Sequence, residues 1–157
     1  MRVNEHQQED LLEDIINYYF KEKNKEVKDI LSYLNKHNDR LIGKDKGREI
    51  IISLSDVYYF ESVDKKTFCY LQDKVYHVDL NLQELEEIYQ QLGFIRINKS
   101  TVLNIYKIKY LKAGLNMRVI ACLSNKEEVQ INRSYKKRFN DFLKQKSRGG
   151  NINEDYK

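Results

Sequence analysis

The chain has 157 residues, of which 41% are hydrophobic and 33% are charged, and its formal net charge is +4. A chain of this length and composition can bury a core of its own, which excludes the disordered class. It has no apolar run near the ~18 residues that cross a bilayer, and its acidic N-terminus is unlike a signal peptide, so we expect a cytoplasmic protein.

Residues 1–40 are predicted to form an N-terminal extension with one ambiguous segment and one helix. The segment "LLEDIINYYF", residues 11–20, fits either a helix or a strand, and its poor helix formers favour a strand. Residues 24–38 are predicted to form a helix, because apolar side chains recur at helical spacing after Asn24, a favoured N-cap residue. These apolar residues are Val27, Ile30, Leu31 and Leu34.

Residues 41–146 have the pattern of a mostly β (α+β) domain. Eight or nine short runs are rich in β-branched and aromatic residues and are separated by turn residues. Strands and helices do not alternate, which argues against a parallel Rossmann-type sheet. The predicted strands are "IIISL", "VYYFE", "TFCYLQ", "KVYHV", "FIRI", "TVLN", "IKYLKA", "RVIACLS" and "EEVQI".

Two helices are predicted in this domain, one internal and one C-terminal. The internal helix lies within "LNLQELEEIYQQLG". There Asn81 is the N-cap, Glu84 follows as in a capping box, and Gly93 ends the helix. The C-terminal helix runs from about residue 135 to 146, and residues 147–157 follow as a flexible tail.

Nothing in the sequence predicts an enzyme, a metal site or a cofactor. Cys69 and Cys122 lie inside strand-like runs, where a buried cysteine acts as a small hydrophobic residue. The three histidines are scattered, and no Gly-rich phosphate loop, nucleophile–base pair or carboxylate dyad can be identified. We therefore expect a protein without catalytic activity.

The charge is distributed unevenly along the chain. Residues 1–40 have a net charge of −2 and residues 41–95 of −4, whereas residues 96–148 contain 14 basic and 3 acidic side chains, a net charge of +11. Such a field attracts polyanions. A solvated basic face without a partner is the alternative. A membrane surface is disfavoured, because these charges are spread over strand loops rather than along an amphipathic helix.

Two polar segments interrupt apolar strands and are candidate nucleic-acid contacts. "VDKKTF" is a predicted hairpin tip, a place where charge is also ordinary, and "INKST" offers groups that hydrogen-bond base edges or phosphates. A bulge or an Asn/Ser turn is the structural alternative for "INKST". Arg96 and Asn104 flank that segment and are interpreted as structural residues that pair or cap nearby backbone. The candidate contact residues are Lys65, Lys66, Thr67, Asn98, Lys99 and Ser100.

The segment "INRSYKKRF" provides the third candidate. Ser134 is a good N-cap for the C-terminal helix. Lys136, Lys137 and Arg138 would then lie in its first turn, where each cation costs roughly 0.3–1 kcal/mol against the helix dipole. A bound anion would offset this cost, since free N–H groups and three cations make a phosphate site. Arg133 could direct its guanidinium at a base edge or a phosphate.

Three stretches together resemble the LytTR family of bacterial DNA-binding domains. They are "VYYFESVDKKTFCYL", "LNLQELEEIYQQLGFIRINKSTVLNIYKIKYL" and "INRSYKKRF". The resemblance covers residues 41–143 and implies small antiparallel sheets with short helices. It also implies recognition of double-stranded DNA by loops that enter successive major grooves. The implied function is a transcriptional regulator that binds paired direct repeats as a homodimer.

The contact positions of the family fall on Thr67, Lys99 and Arg133, within the segments that the charge pattern selects. Asn98 stands where many members have His, which can alter the preferred DNA sequence. Residues 1–40 are too short for the receiver domain that many members carry, so we expect the stand-alone type. By analogy, such a protein is similar to regulators restrained by a small membrane protein.

Two other binding functions are consistent with the sequence. A protein-interaction or anti-regulator module with generic affinity for polyanions is the main alternative. RNA binding is the second, because RNA-binding sheets expose aromatic residues that stack on bases. The twelve tyrosines are spread across strands rather than grouped in one motif, which favours DNA.

Overall fold

Ten antiparallel strands and three helices make up residues 18–146, which the computed structural model describes together with the isolated residues 4 and 7. The strands are β1 (Arg40–Asp45), β2 (Arg48–Ser53), β3 (Tyr59–Val63), β4 (Lys66–Tyr70), β5 (Val75–Val78), β6 (Phe94–Asn98), β7 (Thr101–Asn104), β8 (Ile108–Ala113), β9 (Val119–Leu123) and β10 (Glu128–Ile131). The helices are α1 (Lys25–Asn38), α2 (Leu82–Tyr89) and α3 (Lys136–Lys146).

The strands form two sheets. Seven strands are arranged in the order β2-β1-β5-β4-β3-β7-β6, and the other three in the order β10-β9-β8. Every pairing between neighbouring strands is antiparallel. The predicted mostly β fold of antiparallel sheets is therefore confirmed, although one sheet is larger than the sequence suggested.

The predicted helix boundaries agree with the structure. The side chain of Asn24 accepts the N–H of Val27 at 3.0 Å, so it caps α1 as expected. The side chain of Asn81 accepts the N–H of Glu84 at 2.8 Å and caps α2. A 3₁₀ turn extends α2 to Gly93, whose φ of 98° is the left-handed conformation that ends helices. No helix within residues 18–146 is long and apolar enough to cross a membrane.

The main error of the sequence prediction is the missing strand β1. Its sequence, "RLIGKD", has few apolar residues, and only pairing with β2 and β5 makes it a strand. The ambiguous segment 11–20 lies mostly outside the described residues, and its described part, residues 18–20, is not in a strand. The predicted tail, residues 147–157, also lies outside them.

Two hydrophobic cores meet at the β6–β7 hairpin. The first, the α2 core, lies between α2 and the large sheet and contains Leu41, Ile52, Leu54, Val57, Phe60, Cys69, Val78, Leu82, Leu85, Phe94 and Val102. The second, the α3 core, lies between α3 and both sheets and contains Tyr58, Ile95, Ile97, Leu103, Ile105, Val119, Ala121, Leu123, Ile131, Phe139, Phe142 and Leu143. Both cysteines are buried as predicted, and burial raises the pKa of Cys69 to about 12.

Asn104 joins the end of β7 to the rest of the large sheet. Its side chain is 1% exposed, donates to the carbonyl oxygen of Val57 at 2.8 Å and accepts the N–H of Tyr106 at 3.1 Å. A buried amide whose two ends are both bonded stabilises the fold, and an unbonded one would cost stability. The structural role predicted for Asn104 is confirmed.

Replacement of Gly93 by alanine tests the packing at the end of α2. Left-handed backbone costs a non-glycine residue roughly 1–2 kcal/mol. An added Cβ at Gly93 would also lie 2.4 Å from Cε2 of Tyr106, and such overpacking costs about 1–3 kcal/mol. We expect Gly93→Ala to lower the free energy of unfolding by the sum of both costs, as measured by urea denaturation.

Gly47→Ala is the matched control. Gly47 has a φ of 79°, but no atom lies within 4 Å of its added Cβ. In this variant the free energy of unfolding is therefore expected to fall only by the roughly 1–2 kcal/mol that left-handed backbone costs a non-glycine residue. Equal losses in the two variants would contradict the tight contact between Gly93 and Tyr106.

Candidate nucleic-acid interface

The three candidate segments lie side by side at one edge of the molecule. The N–H of Ser62, beside the β3–β4 turn, donates to the carbonyl oxygen of Ser100 at 2.9 Å. The side chain of Asn98 donates to the carbonyl oxygen of Gln130 at 3.0 Å. The N–H of Asn132 donates to the carbonyl oxygen of Ile97 at 3.0 Å. We refer to the segments as the tip loop (residues 64–67), the core loop (residues 98–100) and the closing loop (residues 132–134).

The tip loop contains a two-residue hairpin turn. Asp64 and Lys65 have φ values of 50° and 64°, which match the twist of the two strands. Lys65 and Lys66 are exposed, as the sequence predicted. Thr67 does not lie at the tip: it is the second residue of β4, pairs with Ser62 and is only 6% exposed. The placement of Thr67 at the hairpin tip is therefore wrong, because the turn needs only two residues.

Asn98 folds the core loop upon itself. Its Oδ1 accepts the N–H of Ser100 at 2.9 Å and the hydroxyl of Ser100 at 3.1 Å, while its Nδ2 is bonded to Gln130. This is the Asn/Ser turn that the sequence left as an alternative. Both ends of the amide are engaged, so Lys99 is the side chain of this loop that is directed into solvent.

Arg96 stabilises the core loop through hydrogen bonds to its backbone. Its Nε donates to the carbonyl oxygen of Asn98 at 3.1 Å, and its Nη2 donates to that of Lys99. The structural role predicted for Arg96 is thus confirmed. Glu86 of α2 accepts the backbone N–H of Arg96 and also pairs with Arg138 of α3 at 2.7 Å. Sequence reasoning missed Glu86, because an acidic residue within a helix gives no sign of a long-range partner.

The closing loop does not have the predicted capping geometry. A 3₁₀ turn, Arg133–Tyr135, follows β10 at once, and the N–H of Tyr135 donates to the carbonyl oxygen of Asn132 at 2.9 Å. Ser134 lies within this turn, so its predicted role as N-cap of α3 is wrong. The bond between Asn132 and Ile97 fixes where the chain leaves the sheet, and the helical turn begins directly after it.

Two of the three cations at the start of α3 face a surface groove. Arg133, Lys136 and Lys137 line this groove of about 450 Å³ together with Met117 and Asp141. Arg138 is different, since its guanidinium is bound to Glu86. The predicted phosphate site of three helix cations is therefore reduced to Lys136 and Lys137, with Arg133 beside them.

The cations of these loops and the two that face the groove at the start of α3 share one property. Within residues 18–146, no carboxylate forms an ion pair with them. We call these cations the basic edge, which consists of Lys65, Lys66, Lys99, Arg133, Lys136 and Lys137. Some cations elsewhere are paired: Lys44 lies 2.6 Å from Asp79 and Lys112 lies 2.5 Å from Glu128, and each carboxylate raises the pKa of its lysine.

Comparison with known proteins relates most of the chain to one family. A model of the LytTr DNA-binding domain matches residues 47–144. The transcriptional regulatory protein YpdB of Escherichia coli K12 is 29% identical over 112 residues, which are 70% of this chain and 46% of YpdB. The sensory transduction protein LytT of Enterococcus faecalis is 25% identical over 96 residues, which are 61% of this chain and 40% of LytT. The chain thus spans less than half the length of these relatives.

The fold has a solved counterpart as well. A LytTr DNA-binding domain from Bacillus cereus superposes with a TM-score of 0.64 at 26% identity, covering 68% of this chain and 97% of that domain. The shared architecture therefore extends over nearly all of the solved domain.

Exchange of Asn98 for aspartate separates a structural from a base-reading role. A carboxylate cannot donate to the carbonyl oxygen of Gln130 and would repel it. We expect Asn98→Asp to lower the free energy of unfolding by about 1–3 kcal/mol in chemical denaturation without DNA. Asn81→Asp is the control: an aspartate N-cap is as good as asparagine, so a change within ~0.5 kcal/mol is expected. Unchanged stability of Asn98→Asp would mean that its amide is free to read bases.

Proposed function

Since the chain belongs to the LytTR family of DNA-binding domains, we propose that it is a transcriptional regulator that binds double-stranded DNA at specific sequences through its basic edge. One observation carries this proposal: six cations that form no ion pair with a carboxylate of residues 18–146 lie at one edge, on three neighbouring loops and the start of α3. Cations gathered in this way at one edge are suited to bind the phosphates of a nucleic acid.

We divide the basic edge into side chains that position the duplex and side chains that read bases. Lys136 and Lys137 lie at the start of α3 and are assigned to phosphates. Lys99 and Arg133 stand on the loops between them and the tip loop, and they are assigned to base edges, where Arg and Lys prefer guanine. Lys65 and Lys66 would extend the contact to the next major groove. Successive major grooves are thereby engaged by the outer loops, with the core loop between them.

Thr67, Asn98, Ser100 and Ser134 have supporting roles in this proposal. Thr67 is buried, and Asn98 is bonded at both ends of its amide, to Gln130 and to Ser100, so these residues shape the loops that carry Lys66 and Lys99. Ser134 is exposed beside Arg133 and is free to donate its hydroxyl to a phosphate.

The biological setting belongs to the same proposal. A domain with a single basic edge fits a homodimer on paired direct repeats, since two copies in tandem would double the length of DNA that is read. A chromosomal target places the protein in the cytoplasm. By analogy with similar regulators, a small membrane protein would restrain this one.

The phosphate contacts can be recognised by their salt dependence. Lys136→Ala and Lys137→Ala are each expected to weaken binding equally on all DNA sequences. Each should reduce the slope of log Kobs against log salt by about one unit, because one counterion fewer is released. Fluorescence anisotropy on a fixed duplex across a salt series measures this slope.

Arg48→Ala is the control for the salt experiment. Arg48 lies beside the β1–β2 turn, at the opposite end of the sheet from the tip loop, and faces Asp45. Its loss removes one positive charge without touching the basic edge, so the slope should remain that of the wild type. A slope that changes equally in all three variants would indicate generic attraction by net charge.

The base-reading residues are recognised by a loss of specificity. Arg133→Ala and Lys99→Ala are expected to cost about 1–3 kcal/mol on the specific site and to relax the preference at particular base pairs. Competition with scrambled duplex and with RNA of the same sequence measures both effects. If these variants weaken binding to all competitors alike, the assigned base-reading roles are wrong. If the wild-type protein prefers none of the competitors, the basic edge is a generic polyanion surface and the main alternative, a protein-interaction module, is favoured.

A further inference from the structure

The turn between β8 and β9 exposes two large apolar side chains. Leu115 is 85% exposed and Met117 is 63% exposed. Asn116 and Met117 have φ values of 57° and 61°, a left-handed conformation that asparagine tolerates and that is costly for methionine. The turn is closed by the N–H of Gly114, which donates to the carbonyl oxygen of Arg118 at 2.9 Å. The backbone therefore holds apolar groups outward at a local cost in stability. We call residues 114–118 the apolar tip.

The apolar tip continues the basic edge. Val119 of β9 pairs with Ile131, the last residue before the closing loop. Nη1 of Arg118 donates to Oε1 of Gln130 at 3.3 Å, and Gln130 also accepts the side chain of Asn98 through its carbonyl oxygen. Met117 lines the groove that Arg133, Lys136 and Lys137 form. The order along the edge is thus tip loop, core loop, closing loop, apolar tip.

We propose that the apolar tip is a fourth DNA-contacting element, in which Leu115 and Met117 contact the methyl groups of thymines next to the bases read by Arg133. This inference rests on the proposed function. The occupant is DNA because Met117 lines one groove with Arg133, Lys136 and Lys137, which form no ion pair with a carboxylate of residues 18–146. A polyanion satisfies such cations, whereas an apolar protein surface does not. Apolar side chains recognise thymine in the major groove through its C5 methyl group.

This contact would give the protein a preference for thymine that does not depend on hydrogen bonds. Uracil presents the same hydrogen-bonding groups as thymine in both grooves and lacks only the methyl group. Burial of one methyl group is worth about a four-fold change in affinity. Replacement of the relevant thymine by deoxyuridine should therefore weaken binding of the wild-type chain roughly four-fold.

The test begins with DNA selected by the protein itself. A random duplex library enriched on the full chain gives the preferred site. Thymines of that site are then replaced singly by deoxyuridine, and affinities are measured for the wild type and for the double variant Leu115→Ser, Met117→Ser. We expect one or two positions where deoxyuridine weakens the wild type and leaves the double variant unchanged. The control is Ile51→Ser, which removes a side chain that is 68% exposed on β2, the strand at the far edge of the large sheet.

Each outcome decides the proposal. If every deoxyuridine duplex binds the wild type as tightly as the thymine duplex, the methyl contact does not exist. This holds even if the double variant fails to fold. If the double variant retains the wild-type affinity and preference while Arg133→Ala loses them, the proposed function stands and the apolar tip is not part of it. If the wild type enriches no site at all, the proposed function fails first and the fourth contact fails with it.

Discussion

The structure depends on a hairpin, β6–β7, that is buried on both faces. Phe94 and Val102 belong to the α2 core, whereas Ile95, Ile97 and Leu103 belong to the α3 core. All five side chains are at most 1% exposed. A slip of one residue would exchange the two faces, so each core would receive side chains fitted to the other. The register of the hairpin is therefore fixed from both sides, and with it the position of the core loop.

The arrangement of the basic edge follows from this fixed hairpin. β3 pairs with β7, which places the tip loop next to the core loop. On the other side, the β6–β7 register changes between Arg96 and Asn98, and the carbonyl oxygen of Ile97 accepts the N–H of Asn132, which fixes the closing loop. The spacing of the loops is thus set by strand pairing and backbone hydrogen bonds rather than by their charged side chains.

The sequence predicted the structural roles of some residues but not of others. Local rules identified the caps Asn24 and Asn81, because a cap depends on residues three positions away. The turn at Asp64 also follows from the local sequence. In contrast, Thr67 is buried because β4 pairs with β5, and the amide of Asn98 is occupied because it donates to Gln130. The ion pair of Arg138 with Glu86 joins residues 52 positions apart, and no local pattern predicts it. Sequence alone therefore selected the loops on which the proposed function rests, whereas tertiary contacts decide which of their side chains are exposed.

The charge of the domain is unevenly distributed. Residues 41–95 have a net charge of −4 and residues 96–148 of +11, yet the two parts share one sheet. Ion pairs such as Lys44–Asp79 and Lys112–Glu128 neutralise some charge away from the basic edge, whose six cations form no ion pair with a carboxylate of residues 18–146. The positive field of the second part would attract a polyanion before any contact forms. Under the proposed function, a few side chains on short loops would suffice for recognition, because strand pairing already fixes the shape of these loops.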